Sequence, residues 1–297
     1  MYYKMFFAAM ALMAASCTSE SFEQSVEQPI SGEQLQAPIS VRVDGFSVSQ
    51  EDFPGITRAQ TVDSYAGLKT LTLAFYASNG TEVYKHTQSK NEADFGEFST
   101  TLPIGSYTMV VLGYVQYDDD ELTLTSPTQA EYTSGCPRET FAANQVVNVA
   151  STTALNLTAT LDRIVSQLQV ISTDGRTANV NKVRMTFSAG GKQFSPTSGL
   201  ATVNTGSVST VGNSATVGAS STSKGYIFLT TDEQTMDVTI ETLDAEGNTI
   251  YSTVVSNVPF KRNRVTKLTG ALYGASATAG SFQVNTAWLD EVDPINF

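Results

Sequence analysis

Apolar and polar residues alternate in short bursts along most of this chain, separated by turn residues, with no run repeating its apolar positions at helical spacing. The first burst sets Ile39, Val41, Val43 and Phe46 close to every second position, and a Pro- and Gly-containing segment at 53–58 interrupts it. Leu71, Leu73 and Phe75 then alternate with Thr72, Ala74 and Tyr76. Asn79-Gly80, at ease with positive φ, predicts a tight hairpin into a strand over 82–87. Phe95, Phe98 and Leu102 lead through Pro103 and Gly105 to a strand over 107–115, and further strands fit 140–149 and 153–161.

A second set starts over 164–171, turns at Asp174-Gly175, continues over 183–187 and turns again at Gly190-Gly191. Residues 195–224, rich in Ser, Thr, Gly, Ala and Val, read as loops with one or two weak strands. Strands follow over 226–229, over 238–243 and 250–255 across Glu246-Gly247-Asn248, and over 281–288, where Phe282, Val284 and Trp288 share one face. LAFYASNGTEVYKHT and IETLDAEGNTIYSTV both run strand, Gly-containing turn, strand with a central Tyr, an echo expected of two like halves. The pattern predicts an all-β protein with a signal peptide at 1–16, a flexible tether at 17–36 and two domains at 37–161 and 162–297.

The N-terminus sets the compartment. Lys4, an apolar stretch of about a dozen residues and Ala14-Ala15-Ser16-Cys17 form a secretory signal ending in a lipobox; the stretch falls short of the roughly 20 residues that span a bilayer. Cys17 is the expected lipidation site, and more than one acyl chain there would hold the protein stably on a membrane. An ordinary secreted protein with a cysteine at its cleavage site is the other reading. Removing Lys4 with the signal takes the formal charge from −12 to −13, which excludes nucleic acid and anionic lipid surfaces as expected partners.

Cys136 is the one cysteine left after lipidation, so no intramolecular disulfide is expected, and a small buried or half-buried residue is its plainest reading. His86 is the sole histidine, which leaves histidine-centred triads and multi-histidine metal sites nothing to build on. Asp118, Asp119, Asp120 and Glu121 lack the spacing of a calcium loop and read as a solvated loop. Trp288 can stack on a sugar or fill a core, and its phase with Phe282 and Val284 points to the core. No phosphate loop or nucleophile elbow is present, so neither enzymatic activity nor a cofactor or metal is expected.

The lipobox, the LTLAFYASNGTEVYKHTQ hairpin, LPIGSYTMVVLGY, LDRIVSQLQV and VPFKRNRVTKLTG together resemble the fimbrillin family, lipoprotein subunits of type V pili that include stalk pilins and anchor and accessory subunits. The resemblance implies two transthyretin-like β-sandwich domains in tandem, export to the outer membrane as a lipoprotein, and partners that are other fimbrial subunits or host and bacterial surface ligands. It also implies cleavage by a trypsin-like protease after an Arg following the first strand, a place that Arg58, before Ala59, occupies here. Such a cut would free the strand around 39–43 and leave a groove that a neighbour's strand could fill. The 281–297 segment, with Phe282, Val284 and Trp288, is the donor-strand candidate. The alternative function is a monomeric surface lipoprotein binding glycan or host protein through its loops.

Overall fold

The computed structural model describes residues 34–47, 61–115, 121–134, 136–274 and 282–286, and among them there is no α-helix. The first half contributes β1 (Gln36–Phe46), β2 (Thr70–Ala77), β3 (Glu82–Ser89), β4 (Glu97–Pro103), β5 (Gly105–Tyr114), β6 (Leu122–Ser126), β7 (Gln129–Tyr132), β8 (Thr140–Val149) and β9 (Leu155–Arg163). At the β2–β3 turn Gly80 has φ of +83°, and Asn79 Oδ1 accepts the Thr81 N–H at 3.0 Å. Seven strands follow the order β3-β2-β5-β8-β9-β1-β4. β8 and β9 pair only at Phe141 with Arg163 and Ala142 with Asp162, then part into different layers. The ribbon thereby closes into a sandwich whose core joins Leu71, Leu73 and Phe75 to Ile39, Val41, Phe98 and Leu161.

The second half contributes β10 (Ser166–Ser172), β11 (Lys182–Phe187), β12 (Gln193–Ser195), β13 (Leu200–Ala201), β14 (Ser207–Gly212), β15 (Thr222–Ile227), β16 (Glu233–Leu243), β17 (Thr249–Lys261), β18 (Val265–Gly270) and β19 (Gln283–Asn285). Sheets β15-β10-β18-β19 and β14-β11-β16-β17 enclose Leu168, Val183, Met185, Val238, Ile240, Phe260 and Leu268. The 195–224 stretch holds β13, β14 and the start of β15. Its strands are short and half exposed, so they carry too few apolar residues to stand out by composition. β17 bulges at Ile250 and again at 256–257, where Asn257 takes φ of +57° and its N–H reaches Asp237 Oδ1 at 2.9 Å.

A fourth sheet joins the halves. β6 and β7 form a hairpin, and β7 pairs with β12 of the second half, Gln193 against Glu131 and Phe194 against Ala130, giving the order β13-β12-β7-β6. Beneath it lies a separate apolar core of Ala74, Tyr76, Val110, Leu112, Leu122, Leu124, Tyr132, Ile164, Phe194 and Phe228. β2 and β5 are therefore buried on both faces, one toward their own sandwich and one toward this junction.

The junction also has a polar side. Arg163 donates from Nε to Glu139 Oε1 at 3.0 Å and from Nη1 to Asn263 Oδ1 at 3.2 Å, and its guanidinium lies 4.9 Å from the centroid of the Phe141 ring. The Tyr65 hydroxyl donates to the same Glu139 oxygen at 2.8 Å; burial, then the Glu139 charge, pushes its pKa up.

On the outer face of the second sandwich Arg184 grips Glu241 with two hydrogen bonds, at 2.6 and 2.8 Å. The hydrogen bond from Arg184 is the main cause that holds the Glu241 carboxyl below its ordinary 4.5. A depressed carboxyl stabilises the fold above its unfolded pKa, and that contribution is lost as pH falls through the folded value. The thermal midpoint of the native protein should therefore drop more steeply below pH 4.5 than that of Glu241→Gln. Parallel curves measured by circular dichroism from pH 7 to 3 would refute it.

Candidate assembly strands

β1 puts Ala37, Ile39, Val41 and Val43 into the first core and turns Gln36, Pro38, Ser40 and Arg42 outward, the period-2 pattern of a half-buried strand. It starts at Gln36, three residues before the first expected apolar position, and lies inside its sheet. β4 pairs with it antiparallel from Gln36–Pro103 to Arg42–Glu97, and β9 pairs with it parallel from Ile39–Leu155 to Phe46–Leu161. Between Val43 and Gly45 the parallel register slips, and Gly45 takes φ of +149°. Beyond the slip, Phe46 packs on Tyr65 and Phe141 at centroid distances of 5.2 and 4.8 Å. Ser47 closes the strand: its N–H reaches Leu161 O at 2.9 Å and its hydroxyl donates to Asp162.

Burying Ile39, Val41, Val43 and Phe46 stabilises the seated strand by roughly 6–12 kcal/mol, taking about 1.5–3 kcal/mol for each large side chain. Withdrawal would strip β4 of its only neighbouring strand among the described residues and leave unpaired backbone along both β4 and β9. The vacated slot would fit one extended strand with apolar residues at alternate positions.

Arg58, Ala59 and Cys17 lie outside the described residues, as do Trp288 and Asp118, Asp119 and Asp120. All of β1 precedes Arg58, so a cut there would leave the strand held by noncovalent bonds alone. Of the C-terminal candidate, Phe282 is buried in the second core, whereas Val284 is 43% exposed. The register sets Val284 opposite the buried Leu268, on the core side like Phe282, but β19 is only three residues long and among the described residues no further strand lies beyond it to cover Val284.

A contact with no sequence signal fixes the chain ahead of β19. The Asp174 carboxylate, expected only to mark a turn, accepts three successive backbone N–H groups, from Leu272 at 2.7 Å, Tyr273 at 2.8 Å and Gly274 at 2.9 Å. The other singled-out residues do not converge. His86 is exposed on β3 with its ring edge-on to Phe98, and Cys136 is half-buried with Sγ 3.6 Å from Ser209 Oγ. Glu121 gives its carbonyl oxygen to the N–H and hydroxyl of Thr133. Among the described residues no group of three or more His, Cys, Asp or Glu side chains is placed to hold a metal ion.

The fold is similar to that of the fimbrial anchor protein Mfa2 from Porphyromonas gingivalis, with a TM-score of 0.50, 12% sequence identity and coverage of 84% of this chain and 98% of that one. A candidate adhesin from Bacteroides ovatus aligns with a TM-score of 0.49 and 11% identity over 84% of this chain and 93% of its own. At these identities the likeness is one of fold. No curated protein sequence matches the chain. Residues 34–293, a span that includes every described residue, match a family of unknown function, DUF6562, and the chain belongs to that family.

Proposed function

We propose that this chain is a fimbrial or adhesin-like surface subunit without catalytic activity, exported as an outer-membrane lipoprotein through Cys17 and joined to its neighbours by strand exchange at the β1 slot. The observation that carries this reading is the position of β1, paired on both flanks, apolar on one face and wholly N-terminal to Arg58. Such a strand can be replaced without unfolding the sheet around it. The fold likeness to a fimbrial anchor protein supports the reading, and the lipobox supplies a route to the cell surface. The 281–297 segment is the proposed donor; β19 sits on β18 by three residue pairs, a hold much weaker than that of β1.

The test is limited trypsin treatment of the purified chain, followed by mass spectrometry and sizing. Cleavage after Arg58 should at first leave β1 bound, because its burial is worth far more than thermal energy. At high protein concentration β1 should then be lost together with the appearance of oligomers that survive mild denaturation. Arg58→Ala should prevent both, and deletion of 281–297 should permit the cut but not the oligomers. Cut protein that keeps β1 and stays monomeric at high concentration would overturn strand exchange. The mature N-terminus on cells distinguishes the roles: Ala59 belongs to a processed polymer subunit, and acylated Cys17 to a retained anchor or accessory subunit.

A further inference from the structure

Beyond the Ala142–Asp162 pair, β8 and β9 part and leave a wedge between them. The Ile164 N–H donates to Thr140 O, and along a strand successive residues turn their main-chain N–H and C=O to alternate sides, so the even-numbered residues of both strands face each other. Once the strands have parted, Asn144 on β8 and Thr158 and Thr160 on β9 aim backbone donors and acceptors into the opening, and among the described residues no strand meets them. The odd-numbered residues are already engaged, with β5 on that flank of β8 and β1 on that flank of β9.

The second half supplies the remaining wall. Thr197 O and Ser198 O of the 196–199 loop accept Asn144 Nδ2 at 3.1 Å and Arg262 Nη1 at 3.2 Å, which ties β8, the loop and the β17–β18 turn into one enclosure. Gly199 lets the loop come this close: its φ is +69°, and a Cβ there would fall 2.8 Å from Ile164 Cγ2 and 2.9 Å from Arg262 Nη1. The cavity so formed has a volume of about 240 Å³. That lies below the roughly 300–1,000 Å³ of pockets for drug-sized ligands, so its occupant is small. Buried Met109, Ala142, Ala159 and Ile164 give it an apolar patch, and no aromatic ring lines it. The Arg262 charge is matched by Asp232 at 2.7 Å, and the Asp162 carboxylate stands at the narrow end. In a chain of formal charge −12 there is then no surplus of positive charge here to draw an anion.

We propose that this wedge is a saccharide subsite that holds one neutral hexose ring, the end residue of a glycan. A sugar hydroxyl both donates and accepts, so a ring of them matches main-chain N–H and C=O groups, the Asn144 and Gln145 amides and the Thr158 and Thr160 hydroxyls within one small space. Its C–H face has Met109 and Ala159 to lie on. The Asp162 carboxylate can accept from two adjacent hydroxyls, a charge-assisted arrangement that tells a diol from a lone alcohol. An extended peptide is the other occupant that open strand edges invite. Only Asn144 on one flank and Thr158 and Thr160 on the other face the enclosed part, too few for a ladder, and a strand laid along one diverging edge draws away from the other. Hydrogen bonds in a small wet site without ring stacking give weak binding, with a dissociation constant on the order of 1 mM per copy. Many copies on one surface would raise the avidity. The site needs neither cleavage at Arg58 nor the C-terminal segment and stands whether or not strand exchange does.

The test uses the mature chain carrying Cys17→Ser and Arg58→Ala, so that neither lipid nor cleavage contributes. Titration with the methyl glycosides of glucose, galactose, mannose, fucose, N-acetylglucosamine and N-acetylgalactosamine, followed by amide NMR shifts, should find at least one that saturates, with the shifts centred on 144–145, 158–160 and 196–199. Thr160 is exposed, so Thr160→Trp should fill the wedge, keep the thermal midpoint and weaken that glycoside by about tenfold or more, whereas Ser252→Trp on an exposed position of β17 should leave it unchanged. Asp162→Asn keeps the side chain's shape and should also weaken it. Methyl glucuronide and inorganic phosphate should bind no more tightly than the neutral sugars. Failure of every glycoside to saturate, binding that survives both Thr160→Trp and Asp162→Asn, a preference for the anions, or equal shifts of the same amides by an alternating Thr-Val pentapeptide would each overturn the proposal.

Discussion

Arg163→Ala should be among the most destabilising single changes, lowering stability by about 3–5 kcal/mol. Side chains of Arg163 and Glu139 are 6% and 12% exposed, and removing the cation leaves the carboxylate buried without its charge partner. The same guanidinium also holds Asn263 across the junction and covers the Phe141 ring, so the loss spreads to Tyr65 and to the end of β1. For a folded unit of this size the thermal midpoint should fall by on the order of 10 °C. Glu139→Gln keeps a hydrogen-bond acceptor and should cost less. Equal midpoints for Arg163→Ala and the native protein by calorimetry would mean that the pair adds nothing beyond what water gives it.

Phe228→Ala tests whether the halves unfold together. Phe228 is fully buried and stacks on Phe194 with ring centroids 4.1 Å apart and planes 17° from parallel, under the sheet formed by strands of both halves. Truncation should cost about 3–5 kcal/mol. The cost should fall on the junction core, leaving both sandwich cores intact. Native protein is thus expected to melt in a single calorimetric transition and Phe228→Ala in two separated ones. Two transitions already present in the native protein would show that the shared sheet does not couple the halves.

The strands of the sandwiches were legible wherever one face is wet. Ile39, Val41 and Val43 announce β1 because their neighbours in sequence are polar, and Asn79-Gly80 announces its hairpin because few other residues accept that backbone. The junction was not legible. Leu122, Leu124, Ala130 and Tyr132 alternate as well as β1 does, but the runs are only five and four residues long and follow an acidic stretch that reads as a solvated loop. The burial of Ala74 and Tyr76 on the second face of β2 depends on Phe194 and Phe228, which lie more than a hundred residues away in sequence, and no local pattern specifies that meeting. For the proposed site, the motifs at Cys17 and Arg58 were readable as chemistry. The groove around 39–43 was expected only through the family resemblance, and its walls were not legible, since the parallel pairing of β9 with β1 is set by the path of the whole chain.

That parallel pairing has a mechanical consequence. β1 is clasped on two flanks along its length, so traction from its Gln36 end loads both ladders in shear, and rupture requires many bonds to fail together. β19, with three pairs on one flank, can be peeled from its end one bond at a time. Resistance to force follows the height of the barrier to unfolding rather than equilibrium stability. A strand seated in the β1 slot should therefore withstand tension that strips β19, and a subunit tethered through that slot would hold under flow while its C-terminal edge yields first.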